Sequence, residues 1–178
     1  DPYTCFLVSG RMFFDKERTE SLLAACVKPI DVEPIRSLGA HGTISIWHPP
    51  KKGCSYVVSG DTAEGGGGDN GAAHVYERGT GRHMATLWGQ FKPHELAKHL
   101  VVLAKRYFWA WIAVERNNHG HAVIQALEWI QKWPRIWHDK DGKPGWLTSE
   151  LSRTVAIDAL EQAHRSGQWS CLDRDTLG

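Results

Sequence analysis

Twice in this chain a short apolar run closes on an acid. Tyr56-Val-Val-Ser-Gly60 ends at Asp61, and Trp109-Ala-Trp-Ile-Ala-Val114 ends at Glu115. Runs of this length and composition read as buried strands. A carboxylate at the end of one is costly unless something cationic meets it. Two of them predict neighbouring strand ends that share a divalent metal.

The bulk composition allows such a domain. The 178 residues suffice for a single sizeable core. Hydrophobic residues make up 42% and charged ones 23%, the balance of a soluble globular protein. No apolar stretch approaches the roughly 20 residues that cross a bilayer, and no signal-peptide pattern opens the chain. Net charge is only +1, so any surface for nucleic acid must be a local patch. Cys5, Cys26, Cys54 and Cys171 lack CxxC pairing, which argues against a zinc ribbon or disulfide scaffold and fits a reducing cytoplasm. The histidines show no HExxH spacing, and His94/His99 and His119/His121 lack partner ligands. The chain opens on Asp1 without a Met and ends mid-pattern, which predicts a piece of a longer protein.

Residues 1–53 read as a leading arm and linker strand, with a helix over Lys16–Val27 and a strand over Thr43–Trp47. Residues 54–178 read as the main domain. Tyr56–Gly60, Ala72–Glu77 and Met84–Trp88 are three strands on tight connections, hence an antiparallel meander. Pro93 opens a helix in which Leu96, Leu100, Leu103 and Tyr107 recur at helical spacing. Trp109–Val114 is a fourth strand, Gly120–Trp133 a helix stopped by Pro134, and Arg135–Trp137 a short fifth strand. Thr148 is the expected N-cap of a last helix running to Ser166. The fold class is therefore α/β: a mixed five-stranded sheet, its first three strands antiparallel, with helices on both faces. Trp109, Trp111, Trp129, Trp133 and Trp137 fall on the strand-helix-strand segment and are expected in the core.

This element order is similar to the ribonuclease H-like fold, whose first and fourth strands deliver adjacent carboxylates. The matching residues are Asp61 and Glu115, the candidate catalytic and metal-holding pair. Phosphodiester cleavage by two metals needs hard oxygen ligands on rigid strands, so two Mg²⁺ or Mn²⁺ ions are expected. Asp69, beyond the Gly65–Gly68 run, is a candidate auxiliary ligand. That run lacks GK[ST] and is not a Walker A loop. The plainer alternative is that Asp61 caps a turn and Glu115 pairs with Arg116 or Lys105. Asn118 and His119 follow Glu115 directly and, with Lys51, Lys52 and Arg153, are the candidate DNA contacts.

Flanking strings narrow the resemblance. They are Phe6-Leu-Val-Ser-Gly10, Gly60-Asp-Thr-Ala-Glu-Gly65, Asp69 with Ala72-Ala73, and Thr80-Gly81. Pro93 with Leu96-Ala97, Val114-Glu-Arg-Asn-Asn-His-Gly120 and Gly145-Trp-Leu-Thr148 continue them. In this order, over nearly the whole chain, they resemble the C-terminal nuclease domain of the large terminase subunit of tailed phages or prophages. The resemblance implies a metal-dependent endonuclease that cuts concatemeric viral double-stranded DNA during genome packaging, in the host bacterial cytoplasm and without a membrane. It implies a terminase ATPase domain, a small terminase subunit and a portal as partners. The family's third acidic position, usually an Asp-Asp pair on a late helix, has no match. Asp158, Asp173 and Asp175 lie outside that context, so the third ligand stays unassigned and the domain is expected to be truncated at its C-terminus. Two other readings remain open: a non-catalytic DNA-docking or assembly module of the packaging motor, and a ribonuclease H or Holliday-junction-type nuclease.

Overall fold

Along residues 56–61 buried and exposed positions alternate, with Tyr56, Val58 and Gly60 inward and Ser59 and Asp61 outward. That period-2 burial is what holds a half-covered strand in register. The computed structural model describes residues 13–62, 70–117 and 119–177. Its strands are β1 (Asp31–Ser37), β2 (Ala40–Ile46), β3 (Tyr56–Asp61), β4 (Gly71–Glu77), β5 (Arg82–Phe91) and β6 (Trp111–Val114). They form one mixed sheet in the order β1-β2-β5-β4-β3-β6. Only β3 and β6 are parallel neighbours.

The sheet thus has six strands, not five, and the difference arises in two places. The β1–β2 hairpin, from the stretch read as arm and linker, pairs along β5 and extends the sheet. Pro34 obscures β1 in the sequence, but β1 is an edge strand, where a missing amide is tolerated. In contrast, Arg135–Trp137 is not a strand. It makes a single parallel bridge, Ile112 to Ile136, and the chain then turns away.

Helix α1 (Lys16–Ala25) is capped by Asp15, whose Oδ1 accepts from the Arg18 amide at 2.7 Å. Helix α2 (Pro93–Arg106) carries Pro93 in its first turn and buries Leu96, Ala97, Leu100, Leu103 and Ala104. These pack with Val58, Val75, Leu87 and Ile112 in the main core. Each fully buried leucine contributes about 2–3 kcal/mol, so Leu100→Ala should cost roughly 2–5 kcal/mol. Helix α3 (Gly120–Gln125) runs on as a π turn over Ala126–Ile130. Helix α4 (Glu150–Arg165) is capped by Ser149 in a capping box with Ser152, one residue later than expected. Thr148 is otherwise engaged: its carbonyl accepts from Asn117 Nδ2 at 2.8 Å and its amide donates to Asn117 Oδ1 at 3.2 Å. A last turn, α5, spans Arg174–Leu177.

On the second face of the sheet the segment after α4 packs against β5. There the His83 amide donates to Ser170 Oγ at 3.3 Å, and the Leu172 amide donates to His83 Nδ1 at 3.4 Å. The tryptophans depart from expectation. Trp133 is buried and stacks on half-exposed Trp109, with ring centroids 4.8 Å apart. Trp111 is partly exposed, and Trp129 lies largely in water, two positions from buried Leu127 and so on the opposite side of the helix. Among the described residues no helix is long and apolar enough to cross a membrane.

Candidate metal and nucleic-acid site

Asp61 and Glu115 are brought side by side by register. Gly60 pairs with Val114 across the parallel β3–β6 ladder, so the next residue on each strand is the acid. The Glu115 amide donates to the Gly60 carbonyl at 3.3 Å, which carries the ladder to its end. Neighbouring strands lie about 4.8 Å apart, and both acids fall on the face opposite Gly60 and Val114, the face away from α2. The site therefore lies at the carboxyl ends of two parallel strands, where open α/β sheets place their ligands.

The electrostatics agree with that placement. Partial burial pushes the Asp61 carboxyl above the ordinary carboxylate range, and the neighbouring Glu115 carboxylate pushes it further; a hydrogen bond from the Thr62 amide opposes them. Among the described residues no Lys, Arg or His pairs with either acid. The expected alternative partner, Arg116, turns the other way. Its Nη2 meets Asp139 Oδ2 at 2.6 Å, and its Nη1 donates to the carbonyl of Gly145 at 3.3 Å. Both side chains of that pair are mostly buried, at 10% and 15% exposed.

Arg116 and its surroundings hold Glu115 from the side away from β3. Glu115 bridges to Trp146; the Arg116 amide donates to the Trp146 carbonyl at 2.7 Å, and the Trp146 amide donates to the Val114 carbonyl at 2.8 Å. Close approach here requires glycine twice. A Cβ on Gly145, at φ +78°, would lie 2.7 Å from the Val114 carbonyl oxygen. A Cβ on Gly120 would lie 1.7 Å from the Glu115 carbonyl oxygen, so α3 starts flat against the acid's backbone.

The other candidates are spread more widely. His119 sits just before α3 and lines a small cleft with Thr62, Gly71 and Leu96, on the α2 side of the sheet. Lys51 and Lys52 precede β3, at its far end from Asp61; β3 itself spans roughly 17 Å at 3.3 Å per residue. Arg153 is exposed in the first turn of α4. Asp69 and Asn118 lie outside the described residues. Among the described residues no three His, Cys, Asp or Glu side chains converge as a metal-holding set. Asn117 and the Arg116–Asp139 pair were not anticipated as supports of the site. Their partners lie 23 to 31 residues downstream, and no local spacing marks them.

The fold has known counterparts. The large terminase nuclease of thermophilic phage G20c with bound magnesium superposes with a TM-score of 0.64 at 15% identity, over 89% of this chain and 76% of that one. This chain has the fold of a phage large-terminase nuclease domain. The G20c nuclease with bound zinc superposes on the terminase-type fold at a TM-score of 0.62 and 15% identity, over 89% of this chain and 84% of that one. The Thermus phage P74-26 large terminase nuclease domain does so at 0.60 and 15%, over 89% and 74%. No protein-family model and no curated protein sequence matches the chain.

Proposed function

We propose that this chain is a divalent-metal-dependent endonuclease domain that cuts concatemeric viral double-stranded DNA during genome packaging. The observation that carries the reading is the pair Asp61 and Glu115: two acids on adjacent parallel strand ends, unneutralised by any described cation, on a terminase-nuclease fold. The donor set suits the group. Hard carboxylate oxygens on rigid strands select Mg²⁺ or Mn²⁺, and mutual repulsion is relieved when a cation joins them. Asp61 and Glu115 would hold the ions, with Asp69 as an auxiliary ligand. Bound there, the cations supply water activation and stabilisation of the leaving oxygen.

The remaining roles belong to the chain itself. Gly120, Trp146 and the Arg116–Asp139 pair fix the Glu115 backbone, so that its carboxylate keeps its aim. His119, which shares a cleft with Thr62, would meet the DNA strand next to the cut, with Asn118 as a further contact. Lys51, Lys52 and Arg153 would hold backbone phosphate further out. Partners on this reading are duplex DNA, a terminase ATPase domain, a small terminase subunit and a portal, in the host bacterial cytoplasm. Residues 54–178 would form the nuclease domain and residues 1–53 its leading arm, whose β1–β2 hairpin joins the nuclease sheet.

The test is incubation of supercoiled plasmid with Mn²⁺ or Mg²⁺, comparing wild type with Asp61→Ala. Metal-dependent nicking that the variant loses is expected; equal cutting by both proteins would sink the assignment. The absence of a third converging ligand among the described residues favours one other reading, a non-catalytic DNA-docking module. Salt-sensitive DNA binding without any metal-dependent cutting selects it. A ribonuclease H or junction-type nuclease is separated by substrate, RNA–DNA hybrid or four-way junction against plain duplex.

A further inference from the structure

The sheet face that bears Asp61 continues across three more strands. Asp61 stands opposite Ala72, Ala72 opposite Trp88, and Trp88 opposite Thr43, so all four side chains point the same way. Ala72 and Thr43 are small, and Trp88 stands out beside them. Its residue surface is 54% exposed, two strands from Asp61, roughly 10 Å at the usual strand spacing. Packing does not explain it, because Leu87 and Ala73 fill the opposite, core face at this level and Trp88 adds nothing there. An open cleft beside the indole is lined by Thr43, Thr86, Asp173 and Asp175. Its carboxylates repel phosphate, so what this stretch offers a nucleic acid is the uncharged ring face.

We infer that Trp88 is a substrate-positioning residue whose indole stacks on a base of the DNA strand leading away from the phosphate held at Asp61 and Glu115. The inference rests on the nuclease reading. The separation corresponds to about three base steps of 3.4 Å. Stacking on an indole tolerates any sequence, because every base has a π face. A base inside an intact duplex is already stacked on its neighbours and must be freed first. The site therefore favours DNA with unpaired bases near the cut over fully paired DNA.

The experiment uses fluorescein-labelled duplexes, one fully paired and one with a three-nucleotide mismatched bubble, and measures binding by anisotropy. All proteins carry Asp61→Ala to prevent cutting. Trp88→Ala is expected to weaken bubble binding roughly 5- to 100-fold, and Trp88→Phe to restore most of it. The slope of log affinity against log salt should stay unchanged, because no phosphate contact is lost. The thermal midpoint should also hold, because Trp88 is not in the core. Unchanged affinity in Trp88→Ala, or a reduced salt slope, overturns the stacking role and leaves the nuclease reading standing. If the Asp61→Ala protein with Trp88 intact binds neither duplex, this inference falls, while metal-dependent nicking by wild type decides the nuclease reading separately.

Discussion

Replacing Gly120 by alanine tests how tightly the start of α3 is pressed on the acid before it. An added Cβ would sit 1.7 Å from the Glu115 carbonyl oxygen and 2.8 Å from its carbonyl carbon. Carbon–oxygen contact is comfortable only beyond about 3.2 Å, so the two backbones must separate by about 1.5 Å. Both partners are backbone, held by the Gly60, Val114 and Trp146 hydrogen bonds, and no flexible side chain can move aside. Overpacking costs about 1–3 kcal/mol in general, and this geometry belongs at the top of that range, about 3 kcal/mol. For a chain of this length that is a fall of roughly 6–12 °C in thermal midpoint. On the nuclease reading, moving the Glu115 carboxylate by about 1 Å also costs on the order of 100-fold in cleavage rate. A thermal melt and a single-turnover plasmid-nicking assay in Mn²⁺ read the two effects separately. His121→Ala, exposed in the same helix, is the control and should change neither. A Gly120→Ala protein that melts within 2 °C of wild type would refute the steric argument. One that melts low yet cuts normally would refute the link from Gly120 to the acid.

Three further outcomes are expected. Asp61→Asn should stabilise the metal-free protein at neutral pH. The native carboxyl is raised by burial and by Glu115, so wild type loses stability as pH climbs through the carboxylate range. In chemical denaturation with chelator the variant's advantage should vanish below that range, and added Mn²⁺ should stabilise wild type alone; an advantage that persists at low pH contradicts the account. His83, fully buried beside His74, is pushed down to about 4, chiefly by desolvation and then by His74. Its neutral form is favoured in the fold, so stability should hold above about pH 6.5 and fall towards pH 4. The loss should be smaller in His83→Gln, and a pH series of denaturation midpoints decides. Arg116→Ala should free the loop that carries Gly145 and Trp146, speeding hydrogen exchange at the Trp146 amide and weakening Mn²⁺ binding, with Arg116→Lys restoring neither fully because lysine cannot reach both Asp139 and the Gly145 carbonyl at once. Unaltered exchange at Trp146 would remove Arg116 from the support of Glu115.

Much of the scaffold was legible in the residues. The runs ending at Asp61 and Glu115, the helix opened by Pro93 and the helix begun at Gly120 all appear where hydrophobic period and turn chemistry place them. The misses have physical causes. Pro34 reads as a breaker until β1 is known to lie at a sheet edge. Arg135–Trp137 has strand composition but only one residue in bridging position. Val123 and Leu127 are buried as helical spacing places them, but the π turn shifts the phase after them and leaves Ile130 exposed.

What the amino-acid order determined by itself is local: which segments extend or coil, and that two acids stand at the ends of apolar runs. Tertiary structure decided which of these segments meet. The Gly60–Val114 pairing puts the two acids on adjacent strands and one face. The Ala72–Trp88 pairing places a half-exposed indole in the same row, 27 residues along the chain from Asp61. The Arg116–Asp139 contact takes away one of the two cations, Arg116 or Lys105, that the plainer sequence reading offered to Glu115. Each depends on the register of a ladder or the course of a loop. Those are set by the packing of distant residues, and local propensity carries no record of them.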